Sequence, residues 1–183
     1  MSTNRDLLLA LLRANSCARR QVTLSSGIES NFYIDCKRTV LTAKGHALAG
    51  EVLHDALSKF AECEAVAGVA IGGCPLASAV SMVSLQRGNP LPALYVREVA
   101  KNHGSRNEIE GYSNVRPYMC VVILDDVVTT GRSILRSASV LRDNGLFISG
   151  AACLVDRLDG GREALRAEGI DLWAMSTIED YAL

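Results

Sequence analysis

The sequence predicts an α/β fold, in which a twisted parallel sheet is flanked by helices and carries a small N-terminal hood. Short apolar runs alternate along the chain with segments of helical periodicity, the order expected of a parallel sheet. The runs are apolar throughout, so both faces of the sheet are expected to be covered. One early segment, residues 22–37, instead alternates polar and apolar residues around a glycine and predicts a hairpin outside the sheet, the hood.

Length and composition predict one domain. The chain has 183 residues, of which 49% are hydrophobic and only 5% aromatic, so aliphatic side chains must fill the core. We expect a single domain over residues 1–183, with the hood at roughly 1–40 and the core at roughly 41–183. The formal net charge of −1 argues against a nucleic-acid partner.

The N-terminus predicts an amphipathic helix rather than a targeting segment. The apolar run at residues 7–12 is short for a signal peptide, and Leu8, Leu11 and Leu12 fit one helical face. No run is long enough to span a bilayer, so we expect a cytoplasmic protein with no membrane partner. Six scattered cysteines without a CxxC pair favour reduced thiols over disulfides or a zinc site.

The remaining elements follow from the same patterns. In chain order they are a helix at 42–60, a strand at 65–71, a helix at 75–86 opened by Pro75, strands at 91–96 and 119–124, a helix at 134–144 closed by Gly145, a strand at 147–155, a helix at 162–167 and an edge strand at 172–175. Residues 98–113 form a polar, charged loop of about 16 residues, a length that is usually functional or disordered.

The segment CVVILDDVVTTGRS, residues 120–133, joins a predicted strand to a helix that begins near Ser133. The chain is expected to leave the sheet after Leu124. Backbone N–H groups of Thr129, Thr130 and Gly131 would then point into one concavity in front of a helix N-terminus, which is a site for a phosphate dianion. The glycine permits a backbone conformation closed to other residues.

Asp125 and Asp126 suit a different part of the same ligand. Carboxylates repel a phosphate, but they accept hydrogen bonds from hydroxyl groups or bind magnesium. A ligand with a phosphate at one end and a diol nearby fits both features, and a ribose 5-phosphate has that shape. The alternative is that the acids only cap the helix and Thr-Thr-Gly only turns the chain. A Walker loop is excluded because the sequence has no G-x-x-x-x-G-K-[ST].

Four segments carry a resemblance to a known family. VVILDDVVTTGRS resembles the signature of type I phosphoribosyltransferases, which bind 5-phosphoribosyl 1-pyrophosphate (PRPP). Three others, LSSGIESNFYIDCK, VREVAKNHGSRNEIEG and CLVDRLDGG, resemble the hood, the mobile loop and the base-binding segment of the orotate branch. The matches occur in chain order and span most of residues 20–161.

The resemblance implies the type I phosphoribosyltransferase fold and a transferase of the glycosyltransferase type. It would move the phosphoribosyl group of PRPP to orotate, release pyrophosphate and form orotidine 5'-monophosphate for pyrimidine biosynthesis. Mg²⁺ is implied as a cofactor that PRPP brings, with no direct protein ligand. A homodimer is implied too, with the loop shared across the interface.

The resemblance also implies roles for individual residues. The catalytic set is Arg97, Lys101, His103, Asp125 and Asp126. PRPP would be bound by that set together with Gly72, Gly73, Val127, Val128, Thr129, Thr130, Gly131, Arg132 and Ser133. The base would be bound by Ser25, Tyr33, Ile34, Thr129 and Arg157. From the residues alone, the loop could be a solvated charged segment, Asp156-Arg157 could be a structural ion pair, and Gly72-Gly73 could be an ordinary turn.

Three positions depart from the family pattern. Ser25 stands where the hood often has a base-binding cation, Glu98 stands where the loop usually has a lysine, and Arg132 follows Thr-Thr-Gly where a small residue is usual. Three alternatives therefore stay open: transfer to another base, a PRPP-sensing regulator of the same fold, and an inactive homologue. A panel of bases separates the first from orotate transfer, and PRPP binding without turnover would indicate the second.

Overall fold

The computed structural model describes residues 2–23, 29–98 and 108–181. The strands are β1 (Cys17–Thr23), β2 (Glu29–Ile34), β3 (Ala65–Val69), β4 (Ala93–Val96), β5 (Ile109–Glu110), β6 (Cys120–Val128), β7 (Phe147–Asp156) and β8 (Leu172–Thr177). The α-helices are α1 (Asn4–Asn15), α2 (Lys37–Val40), α3 (Ala43–Ala56), α4 (Gly73–Gln86), α5 (Arg132–Asp143) and α6 (Gly161–Ala167). Short 3₁₀ turns span Leu57–Lys59, Tyr112–Asn114 and Ile178–Tyr181.

The main sheet has six strands in the order β5-β4-β3-β6-β7-β8. Every neighbouring pair is parallel except the short edge strand β5, which runs antiparallel to β4. The parallel sheet and the edge position of β8 are as predicted. The loop prediction for residues 98–113 was wrong at Ile109–Glu110, because these two residues pair with Tyr95 and Val96 to form β5.

Helices cover both faces of the sheet, as the continuous apolar runs predicted. Alternate residues of β6 point to opposite faces: Val122 and Leu124 pack in one core with α1, α3 and α4, and Val121 and Ile123 pack in the other with α5 and α6. All four are fully buried. The strand at the centre of the sheet is thereby fixed on both sides, which gives the end of β6 a rigid position.

The predicted hairpin is present as a separate two-stranded antiparallel sheet, β1 with β2. It begins at Cys17, five residues before the predicted start at residue 22, and its register runs from the pair Cys17–Ile34 to the pair Thr23–Glu29. The Asp35 N–H donates to the Ser16 carbonyl at 2.9 Å, which closes the base of the hairpin. Residues 24–28, between the two strands, lie outside the described residues.

Helix starts follow local capping chemistry. The Thr3 hydroxyl accepts from the Asp6 N–H at 3.1 Å, and the Asp6 carboxylate accepts from the Thr3 N–H at 2.9 Å, a capping box that starts α1. Thr42 caps α3 through the Gly45 N–H at 3.1 Å. The predicted helix at 42–60 ends at Ala56 and continues as a 3₁₀ turn, and α4 begins at Gly73, ahead of Pro75.

Candidate active site

Strand β6 runs four residues further than the sequence predicts. The chain does not leave the sheet after Leu124, because β7 remains a parallel neighbour as far as Asp156 even though the pairing of β6 with β3 ends at Leu124. Asp125 and Asp126 are therefore strand residues, both buried. Since neighbouring side chains of a strand point to opposite faces, the two carboxylates belong to different sides of the sheet.

Asp125 lines a polar cavity of about 200 Å³ at the carboxyl end of β6. The cavity is bounded by Glu98, Asp125, Val127, Val128, Thr129, Thr130, Gly131, Arg132, Ser133 and Ile134. The structure thus brings one of the two acids and the whole predicted phosphate segment to one place. This is also the edge of an open α/β sheet at which ligands generally bind.

The N-terminus of α5 opens onto this cavity. Gly131 is the residue before the helix and has φ of 74°, in the left-handed region that favours glycine. No side chain caps the helix start, and the first N–H groups of an α-helix have no partner within it. These amides and the positive end of the dipole of a 12-residue helix are suited to an anion.

Burial governs the charge of Asp125. Removal from water raises its pKa well above the usual range of an aspartate, and the neighbouring charge of Asp126 raises it further. The Asp126 N–H donates to Oδ1 of Asp125 at 2.9 Å and partly offsets this rise. Such a carboxyl group favours its protonated form, and hydrogen bonds donated by ligand hydroxyl groups would stabilise the ionised form.

Asp126 faces the turn before α4 and the end of the hairpin. Its Oδ1 accepts from the Val127 N–H at 3.0 Å, and a Cβ atom added at Gly72 would lie 2.2 Å from the same oxygen. Its Oδ2 lies 3.6 Å from Nζ of Lys37. The structure therefore places Asp126 beside the turn at Gly72, and not among the residues that line the cavity with Asp125.

The two glycines of the predicted pyrophosphate turn let α4 approach β6. Gly73 is the first residue of α4, and a Cβ atom there would lie 2.1 Å from the Leu124 carbonyl oxygen. Gly72 has ordinary helical dihedral angles, so glycine is not needed there for an unusual backbone conformation. Its missing side chain instead leaves room for the Asp126 carboxylate. The peptide bond between Ala70 and Ile71, which precedes this turn, is cis.

Arg97 and Glu98 stand where the chain enters the predicted mobile loop. Arg97 donates from Nε to the Glu110 carboxylate at 2.7 Å, so its guanidinium is engaged with β5. Glu98 is exposed and lines the cavity, where its negative charge disfavours a phosphate. Lys101 and His103, the two loop residues assigned to pyrophosphate, lie outside the described residues.

Arg136 of α5 ties the two ends of this loop together. Its Nη1 donates to the Arg97 carbonyl at 2.5 Å, and its Nη2 pairs with Glu108 at 2.6 Å. The Arg97 N–H also donates to the Glu108 carbonyl at 2.8 Å. Residues 97 and 108 are thus held side by side, next to Glu98 in the wall of the cavity, a role that the sequence did not indicate for Arg136.

Arg132 is exposed and lines the cavity together with Glu98. Within the described part of the chain its guanidinium has no hydrogen bond or ion pair. A cation at the first position of α5 adds to the positive potential at the helix start. The residue that departs from the family pattern is therefore placed to attract an anion.

The residues predicted to bind the base lie on three parts of the chain: the hairpin, the segment after β6 and the turn after β7. Arg157 is buried just after β7 and pairs with Asp159 at 3.3 Å. Asp156 is fully buried and accepts from the Leu158 N–H and from Arg162, both at 2.9 Å, which fixes the turn that carries Arg157.

On the hairpin side, Ile34 is buried in the core and Tyr33 is half-buried. Ser25 lies outside the described residues. Of the predicted base site, the structure therefore describes Tyr33, Ile34, Thr129 and Arg157. Among these four, Thr129 lines the cavity beside Asp125 and the other three do not.

Lys37 is the last residue of the hood motif, and the family resemblance implied no role for it. Its ammonium lies 2.9 Å from Asp35 and 3.6 Å from Asp126, so it links the hairpin to the end of β6. Burial alone would lower the pKa of Lys37, but the hydrogen bond to Asp35 and the charge of Asp126 outweigh it and raise the pKa. In the sequence, the signal that could have pointed to this role is the position of the lysine directly after Asp35 and Cys36 in the hood motif.

All six cysteines are free thiols, with Cys36 and Cys153 buried. Over residues 2–23, 29–98 and 108–181, no group of three or more histidine, cysteine or acidic side chains could hold a metal ion. None of the helices in those ranges combines the length and hydropathy that a membrane crossing requires.

Comparison with known proteins defines the class. The family model of the phosphoribosyl transferase domain matches residues 40–167, which include β3 to β7 and the whole cavity. The chain belongs to the phosphoribosyltransferase family.

Full-length relatives narrow the class to one branch. The chain is 53% identical over 180 residues to orotate phosphoribosyltransferase of Sorangium cellulosum, an alignment that covers 98% of this chain and 94% of the relative. It is 40% identical to the same enzyme of Synechocystis, with 96% and 87% covered. The crystal structure of Mycobacterium tuberculosis orotate phosphoribosyltransferase in complex with PRPP matches with a TM-score of 0.79 at 31% identity, over 99% of this chain and all of that chain. Within its class, the chain belongs to the orotate phosphoribosyltransferases.

Proposed function

We propose that this protein transfers the 5-phosphoribosyl group of PRPP to orotate, forming orotidine 5'-monophosphate and pyrophosphate for pyrimidine biosynthesis. The observation that carries the proposal is the cavity that joins Asp125 to the start of α5, within a chain 53% identical to an orotate phosphoribosyltransferase. A ribose hydroxyl would donate to Asp125, and the 5'-phosphate would accept from the amides of Thr129 to Ser133.

The sugar end is held so that C1 can lose its leaving group. As the bond from C1 to the pyrophosphate oxygen breaks, positive charge develops on the ribose ring and negative charge on pyrophosphate. The orotate nitrogen then forms the new bond to C1. The turn at Gly72 and Gly73 fits next to the departing pyrophosphate, because its backbone N–H groups at the start of α4 can donate to an anion.

The loop between Arg97 and Glu108 would supply the remaining cations. Lys101 and His103 are proposed to contact the pyrophosphate when the loop closes, which also shelters C1 from water. Arg97 would join them only after leaving Glu110, to which it is now bound. A Lys101→Ala variant that binds PRPP but turns over at an unchanged rate would remove this assignment.

Magnesium fits the site as a partner of PRPP. The oxygen ligands that the ion prefers are available on pyrophosphate, on ribose and from water, and the buried Asp125 carboxylate can accept from that shell. When bound, the ion would neutralise charge on the leaving pyrophosphate. We therefore propose that no protein side chain need be a direct ligand.

Orotate is proposed to lie between Arg157 and the hairpin. An arginine fork matches a carboxylate with two parallel hydrogen bonds, and Arg157 is buried beside Asp159 at the end of β7. Tyr33 and Ile34 would contact the base by packing and through backbone groups, with Ser25 and Thr129 as further polar neighbours.

We also propose a homodimer in which the loop of one copy reaches the site of the other. Four large apolar side chains on α4 and the turns before α3 and α4 are half or more exposed, namely Leu41, Ile71, Met82 and Leu85. A second copy would remove them from water, at about 25 cal/mol per Å² of apolar surface. Sedimentation that finds an active monomer would contradict the dimer.

The experiment that tests the activity is product identification. Purified protein with PRPP, Mg²⁺ and orotate is expected to form orotidine 5'-monophosphate and an equal amount of pyrophosphate. Uracil, cytosine, adenine, guanine and hypoxanthine serve as competing acceptors and should give at most traces. Absence of product with orotate, or faster transfer to another base, would contradict the proposal.

A further inference from the structure

Lys37 links the end of the hairpin to the acidic end of β6. Its Nζ lies 2.9 Å from Oδ1 of Asp35 and 3.6 Å from Oδ2 of Asp126. Among residues 2–23, 29–98 and 108–181, it is the only basic side chain within ion-pairing distance of Asp125 or Asp126. Within these ranges, the cation near the two buried carboxylates thus comes from a part of the chain distant in sequence.

The position of the ammonium is set by its own backbone. The Lys37 N–H donates to Oδ1 of Asp35 at 3.3 Å, and the Asp35 N–H donates to the Ser16 carbonyl at 2.9 Å. The Thr39 hydroxyl, two residues further along α2, lies 2.7 Å from the Ser16 hydroxyl in a buried contact. Lys37 is therefore held at a fixed distance from the sheet, although its side chain keeps 41% of its surface exposed.

The Asp126 carboxylate is held from three directions. Oδ1 accepts from the Val127 N–H at 3.0 Å, and Nζ of Lys37 lies 3.6 Å from Oδ2. The carboxylate also fills the space that Gly72, which has no side chain, leaves open. Of these neighbours, Lys37 is the one that carries a formal charge, and its side chain is partly open to solvent. Without it, nothing but the Val127 N–H would fix the direction of the carboxylate, and a rotated carboxylate no longer presents the same oxygen to a ligand hydroxyl.

We propose that Lys37 is a positioning residue that keeps the Asp126 carboxylate oriented to accept a hydrogen bond from a ribose hydroxyl. The proposal deepens the proposed function and rests on it, since it concerns the sugar of PRPP. Lys37 acts through Asp126 and need not touch the ligand. It also makes the hairpin part of the sugar site, in addition to its expected contacts with the base.

The test measures hydroxyl recognition without turnover. Ribose 5-phosphate and 2,3-dideoxyribose 5-phosphate differ only in the two hydroxyls, so the ratio of their dissociation constants by calorimetry reports on the carboxylates. The variants are Lys37→Met, which removes the charge, Lys37→Arg, which keeps it, and the control Arg38→Met, a neighbouring cation on the exposed side of α2.

Wild type and Arg38→Met are expected to prefer ribose 5-phosphate. Lys37→Met is expected to bind it about tenfold more weakly, with little change for the dideoxy compound, since one charge-assisted hydrogen bond is impaired. Lys37→Arg should restore most of the preference. A Lys37→Met variant that keeps the wild-type ratio, or that weakens both ligands equally, overturns the proposal. Wild-type protein that binds neither compound overturns the proposed function, and the role of Lys37 with it.

Discussion

The Asp126 carboxylate occupies the space in which Gly72 would carry a side chain. A Cβ atom at position 72 would lie 2.2 Å from Oδ1 and 2.4 Å from Cγ of Asp126, well inside any real contact. The turn before α4 and the end of β6 therefore share one volume. In the proposed site, the first would contact pyrophosphate and the second the sugar, so the relation between them controls how both ends of PRPP are held.

A Gly72→Ala variant tests this relation. Because φ at Gly72 is −65°, alanine adds no backbone strain, and the whole effect should come from displacement of the Asp126 carboxylate. We expect the KM for PRPP to rise by about tenfold or more, with a loss of roughly 1–3 kcal/mol in the free energy of unfolding from overpacking.

Gly88→Ala is the matched control. Nothing lies within 4 Å of a Cβ at this position, but φ is +82°, so alanine is expected to lower the melting temperature without changing the KM for PRPP. Equal effects of the two substitutions on KM would contradict the special relation of Gly72 to Asp126.

An Asp125→Asn variant should change how stability depends on pH. The folded pKa of Asp125 is raised above the unfolded value of 3.8, so the folded state holds a proton that the unfolded state has lost. Wild-type stability therefore falls as pH rises through this window and is constant above it. Asparagine cannot lose a proton, so the variant should gain relative to wild type as pH increases.

The measurement is the melting temperature of ligand-free protein between about pH 4 and pH 8. The difference, variant minus wild type, should grow with pH, with on the order of 2–4 °C for each kcal/mol of burial cost removed. A difference that is constant with pH, or that falls as pH rises, would contradict the raised pKa. The same variant should bind PRPP more weakly.

Glu98→Gln should strengthen PRPP binding. Glu98 is exposed at the wall of the phosphate cavity, where its charge repels the ligand. We expect the KM for PRPP to fall about two- to fivefold at low ionic strength, and the gain to shrink near 1 M salt, where the screening length is about 3 Å. Glu168→Gln, the same change after α6, is the control and should have no effect. A higher KM in Glu98→Gln would indicate that Glu98 makes a useful contact.

Arg157→Lys should affect the base and spare the sugar. A lysine keeps the charge but loses the planar fork that binds a carboxylate with two hydrogen bonds. Steady-state kinetics are expected to show the KM for orotate about tenfold higher with little change in the KM for PRPP. Arg166→Lys, an exposed arginine in the last turn of α6, is the matched control. A rise in both KM values would indicate that Arg157 supports the fold rather than the base.

The sequence predicted the parallel sheet and the β6–α5 turn because both depend on residues that are close together in the chain. Continuous apolar runs mark buried strands, and the residues from Asp125 to Ser133 lie together in the chain. The end of β6 was misplaced because apolarity stops at Leu124, whereas the strand continues as long as β7 pairs with it. Strand length here depends on a neighbour and not on local composition.

Lys37 and Arg136 were missed for a related reason. Their partners, Asp126 and the two ends of the loop, are distant in sequence, and no spacing rule connects a lysine after a hairpin with an acid in the central strand. The assignments of Ser25, Lys101 and His103 rest on the family resemblance and stay predictions.

The central claim is that the segment from Asp125 to Ser133 holds the ribose 5-phosphate part of PRPP, and a crystal structure of the complex with PRPP and Mg²⁺ tests it most directly. The account predicts 5'-phosphate oxygens about 2.7–3.2 Å from the backbone nitrogens at the start of α5, with ribose hydroxyls at the same distance from Asp125 and Asp126. A 5'-phosphate bound elsewhere, or a diol directed away from both carboxylates, would contradict it.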